Sequence, residues 1–104
     1  MTTLSTHVLD TATGEPAARM RVHLSRSGDV GWEAVSEFDT DEGGRISGFG
    51  DLPGGLYRLG FETGEWGNEF FPFVHVVFNV DDVRSHYHVP LLLSPYGYST
   101  YRGS

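Results

Sequence analysis

Hydrophobic and polar residues alternate along most of this chain, with the two-residue period of β-strands. In residues 4–9, LSTHVL, Leu4, Thr6 and Val8 fall on one face and Ser5, His7 and Leu9 on the other. A turn, DTATGEPA, leads to MRVHLSR, whose Met20, Val22 and Leu24 alternate inward. WEAVSEFDT reads as a third strand, and TDEGGR turns the chain to deliver Arg45 into a short strand, RISGFG. DLPGG is the next turn and LYRLGFET the next strand. TGEWGNEFF alone has helical spacing, with Trp66 and Phe70 four apart and Thr63 as the expected cap. Gly64 and Gly67 keep that helix short, and Pro72 ends it. PFVHVVFNV, a DD turn, one long strand SHYHVPLLLSP and a final YGYSTYRGS complete the chain. Seven or eight short strands separated by turn residues predict an all-β antiparallel sandwich, one domain over residues 1–104.

The register of SHYHVPLLLSP separates two kinds of face. Tyr87, Val89, Leu91 and Leu93 make a core face, while His86, His88, Pro90 and Leu92 make the other. Two imidazoles beside an apolar Leu92 suit neither a core nor a free surface, and such a face fits contact with another subunit. Pro90 lacks a backbone donor and suits an edge strand or a bulge.

Composition narrows the function classes. The chain has 104 residues, no cysteine and no lysine, and a net charge of −7. Phosphate recognition needs clustered cations, so nucleic acid is a poor partner. With no thiol there is neither a disulfide framework nor a thiolate nucleophile. The apolar runs are too short for a helix to span a bilayer, and residues 1–10 lack the basic start and apolar run of a signal peptide. A cytoplasmic protein without membrane partners is the expectation.

Five histidines are the main chemical resource. His23 and His75 alternate with inward apolar residues and are expected on solvent or on a second sheet face. His7 and His88 sit mid-strand opposite the core, where an imidazole is available for proton transfer. His86 and His88, with His7, would make a three-histidine zinc set, yet an H-x-H pair without a fixed third ligand is a weak metal signal. Arg45 follows a turn and offers a permanent charge. A Ser-His-Asp arrangement has its residue types here but no G-x-S-x-G elbow. The ending YRGS places a tyrosine and an arginine where chain ends usually carry small polar residues.

Three blocks, LSTHVLDTATGEPA, TDEGGRI and FFPFVHVVFNV with HYHVPLLLSPYGYSTYRGS, resemble the transthyretin-like family, and specifically its enzyme branch, whose members hydrolyse 5-hydroxyisourate. The hormone-carrying branch shares the LSPYSYST-type stretch but lacks both histidines and the YRGS end. The mid-chain turn reads D-E-G-G-R where the family commonly has N-x-D-G-R, which costs the turn at most a side-chain contact. The resemblance implies an eight-stranded sandwich with one short helix, assembled as a homotetramer, a dimer of dimers with a central channel. It further implies that His7, Arg45, His88 and Ser104 are catalytic and that His7, Arg45, Tyr101, Arg102 and Gly103 contact the substrate, with no metal or cofactor. The implied reaction opens a ring amide of 5-hydroxyisourate to give 2-oxo-4-hydroxy-4-carboxy-5-ureidoimidazoline in urate degradation. The alternative is a channel that binds a small hormone-like ligand without chemistry.

Overall fold

A computed structural model describes residues 1–104. The strands are β1 (Thr3–Asp10), β2 (Glu15–Pro16), β3 (Arg21–Gly28), β4 (Gly31–Asp39), β5 (Arg45–Ile46) and β6 (Gly55–Phe61). The helix α1 (Thr63–Trp66) precedes β7 (Val74–Val80), β8 (His86–His88), β9 (Leu91–Ser94) and β10 (Gly97–Thr100). No helix is long and apolar enough to cross a membrane.

Two sheets face each other. One has the order β4-β3-β6-β7; the other runs β10-β9-β1-β2, with β5 and β8 also paired to β1. The expected alternation holds on both inner faces: Leu4, Val8, Met20, Val22, Leu24, Leu91 and Leu93 are all buried, within a core of 18 residues. Thr6, also on the core face, is buried with its hydroxyl donating to the Val89 carbonyl at 2.6 Å. A buried hydroxyl needs such a partner, and without one it would cost about 1–3 kcal/mol.

Several details of the expected elements differ. The long strand SHYHVPLLLSP is two strands, broken at Val89–Pro90, because proline carries no N–H for the ladder. The antiparallel sandwich is as expected, with a parallel element added at β1. β1 pairs in parallel with β8 (Thr3↔His86, Leu4↔Tyr87, Ser5↔His88) and with β9 (Val8↔Leu91, Leu9↔Leu92). Parallel neighbours require a crossover, which the second sheet and its loops supply. The strand RISGFG shortens to Arg45–Ile46.

Nor does Thr63 cap the helix. Glu62 occupies the capping position with no side-chain bond to the helix, while the Thr63 hydroxyl donates to the Phe71 carbonyl at 2.5 Å. The hydroxyl closes the loop after the helix instead of its first turn. α1 ends at Trp66, so Phe70 lies outside it.

Candidate active site

β1 is the centre of the site because it pairs on both sides. Its residue His7 lies opposite Arg45 of β5, and its residue Ser5 lies opposite His88 of β8. Ser5 and His7 share the outer face, two positions apart, so both pairs present their side chains on the same side of the sheet. Beyond β8, the chain end returns antiparallel and pairs Gly103 with His88. The Gly103 N–H donates to the His88 carbonyl at 2.7 Å. Four segments distant in sequence thus bring His7, Arg45, His88 and Gly103 onto one face.

Arg45 is set by its turn. The Asp41 carboxylate accepts from the backbone N–H groups of Gly43 and Arg45, each at 2.9 Å. Gly44 has φ 73°, and its carbonyl accepts from Val8 at 2.8 Å. A Cβ at this position would stand 2.5 Å from the Val8 carbonyl oxygen, so only glycine lets the turn approach β1 so closely. The turn thereby holds Arg45 beside His7.

His88 is half-buried and linked to its neighbours through hydroxyls. Ser5 Oγ lies 2.8 Å from His88 Nδ1 and 2.9 Å from His86 Nε2. Thr3 Oγ1 lies 2.6 Å from His86 Nδ1. Burial holds the His88 pKa below the ordinary histidine value, with further lowering from the charge of Arg45 and from His7 and His86; a hydrogen bond to the Ser5 backbone opposes the shift. A ring kept neutral in this way is ready to accept a proton near neutral pH.

The remaining expected residues divide. Tyr101 is 56 % exposed. It and Arg102 line a groove at the sandwich edge with Val76, Phe78, Asn79 and Tyr87. Ser104 follows Gly103 at the exposed end of the segment. His86 is exposed and engaged with Thr3 and Ser5, and no three His, Asp or Glu side chains converge in metal-ligand geometry.

His23 and His75 lie on the other sheet. His23 Nε2 bonds the Glu62 carboxylate, whose pKa that contact lowers. The largest surface cleft is there too, lined by His23, Glu37, Arg58, Phe73 and His75 among others. The His7–Arg45–His88 face forms no comparable cleft, because a sheet face without a facing wall stays open.

Ser5 and Thr3 were not among the expected functional residues. Their only local signal is a hydroxyl on the same face as His7, and their partners become visible only through the parallel pairing of β1 with β8.

Comparison with known proteins identifies relatives in sequence and in fold. A family model described as HIUase/Transthyretin family matches residues 4–103. The chain is 44 % identical to a 5-hydroxyisourate hydrolase of Salmonella typhimurium, covering 97 % of this chain and 80 % of that protein. Against a 5-hydroxyisourate hydrolase of Deinococcus radiodurans the identity is again 44 %, over 97 % of this chain and 95 % of the relative. The structure of Klebsiella pneumoniae 5-hydroxyisourate hydrolase superposes with a TM-score of 0.88 at 41 % identity over the whole of both chains. Sea bream transthyretin in complex with thyroxine gives the same TM-score at 30 % identity, over 96 % of this chain and 93 % of that one. With the match running through the strand of His7, the turn of Arg45 and the segment from His86 to Gly103, this chain belongs to the HIUase/Transthyretin family.

Proposed function

We propose that this protein hydrolyses 5-hydroxyisourate to 2-oxo-4-hydroxy-4-carboxy-5-ureidoimidazoline, as a single domain over residues 1–104 acting in the cytoplasm. The observation that carries the reading is the shared face, on which adjacent register positions bring together His7, Arg45 and His88. A flat, polar, readily anionic ring matches a face with one guanidinium and two imidazoles. Hormone carriage needs no such set.

Each residue has a task in the ring opening. A neutral imidazole takes a proton from water as its oxygen adds to the ring carbonyl. Arg45 directs its planar fork at the substrate oxygens and offsets the negative charge of the tetrahedral centre. The carbon–nitrogen bond then breaks, the carbon becoming a carboxylic acid that releases its proton to water, and the nitrogen taking a proton back from an imidazole. Tyr101 and the segment through Ser104 wall the site, with Gly103 bringing backbone close to His88. The chemistry calls on side chains alone and needs no cofactor.

The open outer face of the β1 sheet also supports a homotetramer, a dimer of dimers, in which a second such face closes the site into a channel. Leu9 and Leu92, paired on that face and only partly buried, are suited to the contact.

The test follows the decay of 5-hydroxyisourate, generated in the cuvette from urate, with and without the protein. Acceleration that is lost in both Arg45→Ala and His88→Ala is the expected result. No acceleration by the assembled protein would overturn the assignment and turn attention to small-ligand binding in the channel.

A further inference from the structure

The hydroxyl chain behind His88 has a direction. Thr3 Oγ1 faces two groups, His86 Nδ1 at 2.6 Å and the Ser85 carbonyl at 3.4 Å. A hydroxyl has one proton to give, and a carbonyl can only accept. If the Thr3 proton is given to Ser85, across the longer of its two contacts, Thr3 Oγ1 accepts from His86 Nδ1–H. In a neutral ring that leaves His86 Nε2 bare, as the acceptor for the one proton of Ser5. Ser5 Oγ, its proton committed to His86, then accepts from His88 Nδ1–H. The bare nitrogen of His88 is Nε2.

We propose that Ser5 is a positioning residue that, with His86 and Thr3 behind it, holds His88 as the Nδ1–H tautomer so that Nε2 serves as the general base. The inference rests on the hydrolase reading and decides between the two histidines that sequence leaves open. It also gives His86 a place: this exposed ring orients the chain from the side facing solvent. When Nε2 takes the proton from water, the Nδ1 proton can pass to Ser5 Oγ while the Ser5 proton passes to His86 Nε2. The positive charge then rests on the exposed His86 instead of beside Arg45, and it returns by the reverse transfers when Nε2 protonates the leaving nitrogen. Holding the wrong tautomer would abolish base function while leaving the ring in place.

The groups facing His88 are His7 and both the hydroxyl and the backbone of Ser5 from β1, Arg45 from β5, His86 from its own strand and Gly103 from the chain end. None of the charged ones can replace the Ser5 hydroxyl, because Arg45 is a donor only and His7 reaches His88 through charge.

The experiment records nitrogen-15 NMR of the histidine rings in the substrate-free protein for the wild type, Ser5→Ala and Ser5→Thr, and turnover of 5-hydroxyisourate in the same samples. Expected are a protonated Nδ1 and bare Nε2 at His88 in the wild type, retained in Ser5→Thr. Ser5→Ala should show mixed tautomers and a kcat lower by roughly 10- to 100-fold, with KM little changed. A wild-type His88 protonated on Nε2, or a Ser5→Ala protein with unchanged tautomer and kcat, overturns the proposal. The wild-type spectrum alone decides the tautomer should Ser5→Ala fail to fold. Absence of wild-type turnover with the Nδ1–H tautomer present would sink the hydrolase reading, not the hydrogen-bond assignment.

Discussion

Gly103 has no room for a side chain because His88 occupies it: a Cβ at position 103 would lie 2.7 Å from Cδ2 of the imidazole and 3.2 Å from its Cβ. The returning chain end therefore touches the ring as well as pairing with its strand. Gly103→Ala should push the ring off its Ser5 bond while the core side chains of Tyr87 and Val89, which point to the opposite face, stay in place. A misplacement of that kind costs about 10²-fold in turnover. Thermal unfolding and turnover measured together check this; wild-type turnover would show that the ring has space to yield.

Arg45 lies opposite His7 in the register and is held by the Asp41 turn. Arg45→Ala removes the group that offsets developing charge and should cost ~10²–10³ in kcat. Arg45→Lys should recover only part of the loss, because an ammonium cannot reproduce the planar two-point fork. Steady-state kinetics of the two variants provide the check, and full activity in the lysine variant would refute the bidentate role.

The turn itself gives a stability prediction. At φ 73°, with the Val8 carbonyl 2.5 Å from where a Cβ would stand, Gly44→Ala combines backbone strain with a collision against β1. A loss of about 1–3 kcal/mol is expected. Activity should fall as well, since the turn that must shift carries Arg45. Gly43→Ala, where the nearest atom would be the Asp41 carboxylate oxygen at 3.4 Å, is the control expected to be mild. Denaturant unfolding of both proteins separates the two positions.

Much of this arrangement is legible in the sequence, and the division between what is and is not follows the range of the interactions. Alternation is local, so the outward placement of His7 and His88 and the inward placement of Leu4, Val8, Leu91 and Leu93 can be read directly. The break at Pro90 was signalled by the proline, although the apolar run on either side argued for continuity. What could not be read is the parallel pairing of β1 with β8, which joins residues more than 80 apart and brings Ser5 between two imidazoles. Thr63 looked like a cap because caps are local, yet its hydroxyl serves the Phe71 carbonyl across the loop.

The pH dependence follows from His88. Burial first, then Arg45, His7 and His86, place its pKa below the ordinary 6.5. Activity needs the neutral ring, so the acid limb of kcat/KM should fall below pH 6.5. Stability changes in the same direction: as pH drops through 6.5 the unfolded chain binds the proton before the folded one, so the folded state loses stability. Removing the Arg45 charge should raise the His88 pKa toward 6.5. An NMR titration of the ring in wild type and Arg45→Ala measures this without requiring turnover, and an unchanged midpoint would show that the guanidinium lies too far away to act.

Assembly gives the last prediction. Leu9 and Leu92 are directly paired across β1 and β9, on the same outer face as His7 and His88 and only partly buried. If two such faces meet, these leucines lie against apolar partners, and a charge placed there must be desolvated without compensation. Leu92→Arg should therefore dissociate the proposed tetramer while leaving each sandwich folded, because the side chain points away from the core that Leu91 and Leu93 enter. Turnover should disappear with assembly, since an isolated sheet presents His7, Arg45 and His88 on an open face that excludes no water. Sedimentation and turnover across a dilution series measure both properties in one protein. A folded Leu92→Arg monomer that retained wild-type turnover would show that one sheet suffices, and the channel would then have no part in the chemistry.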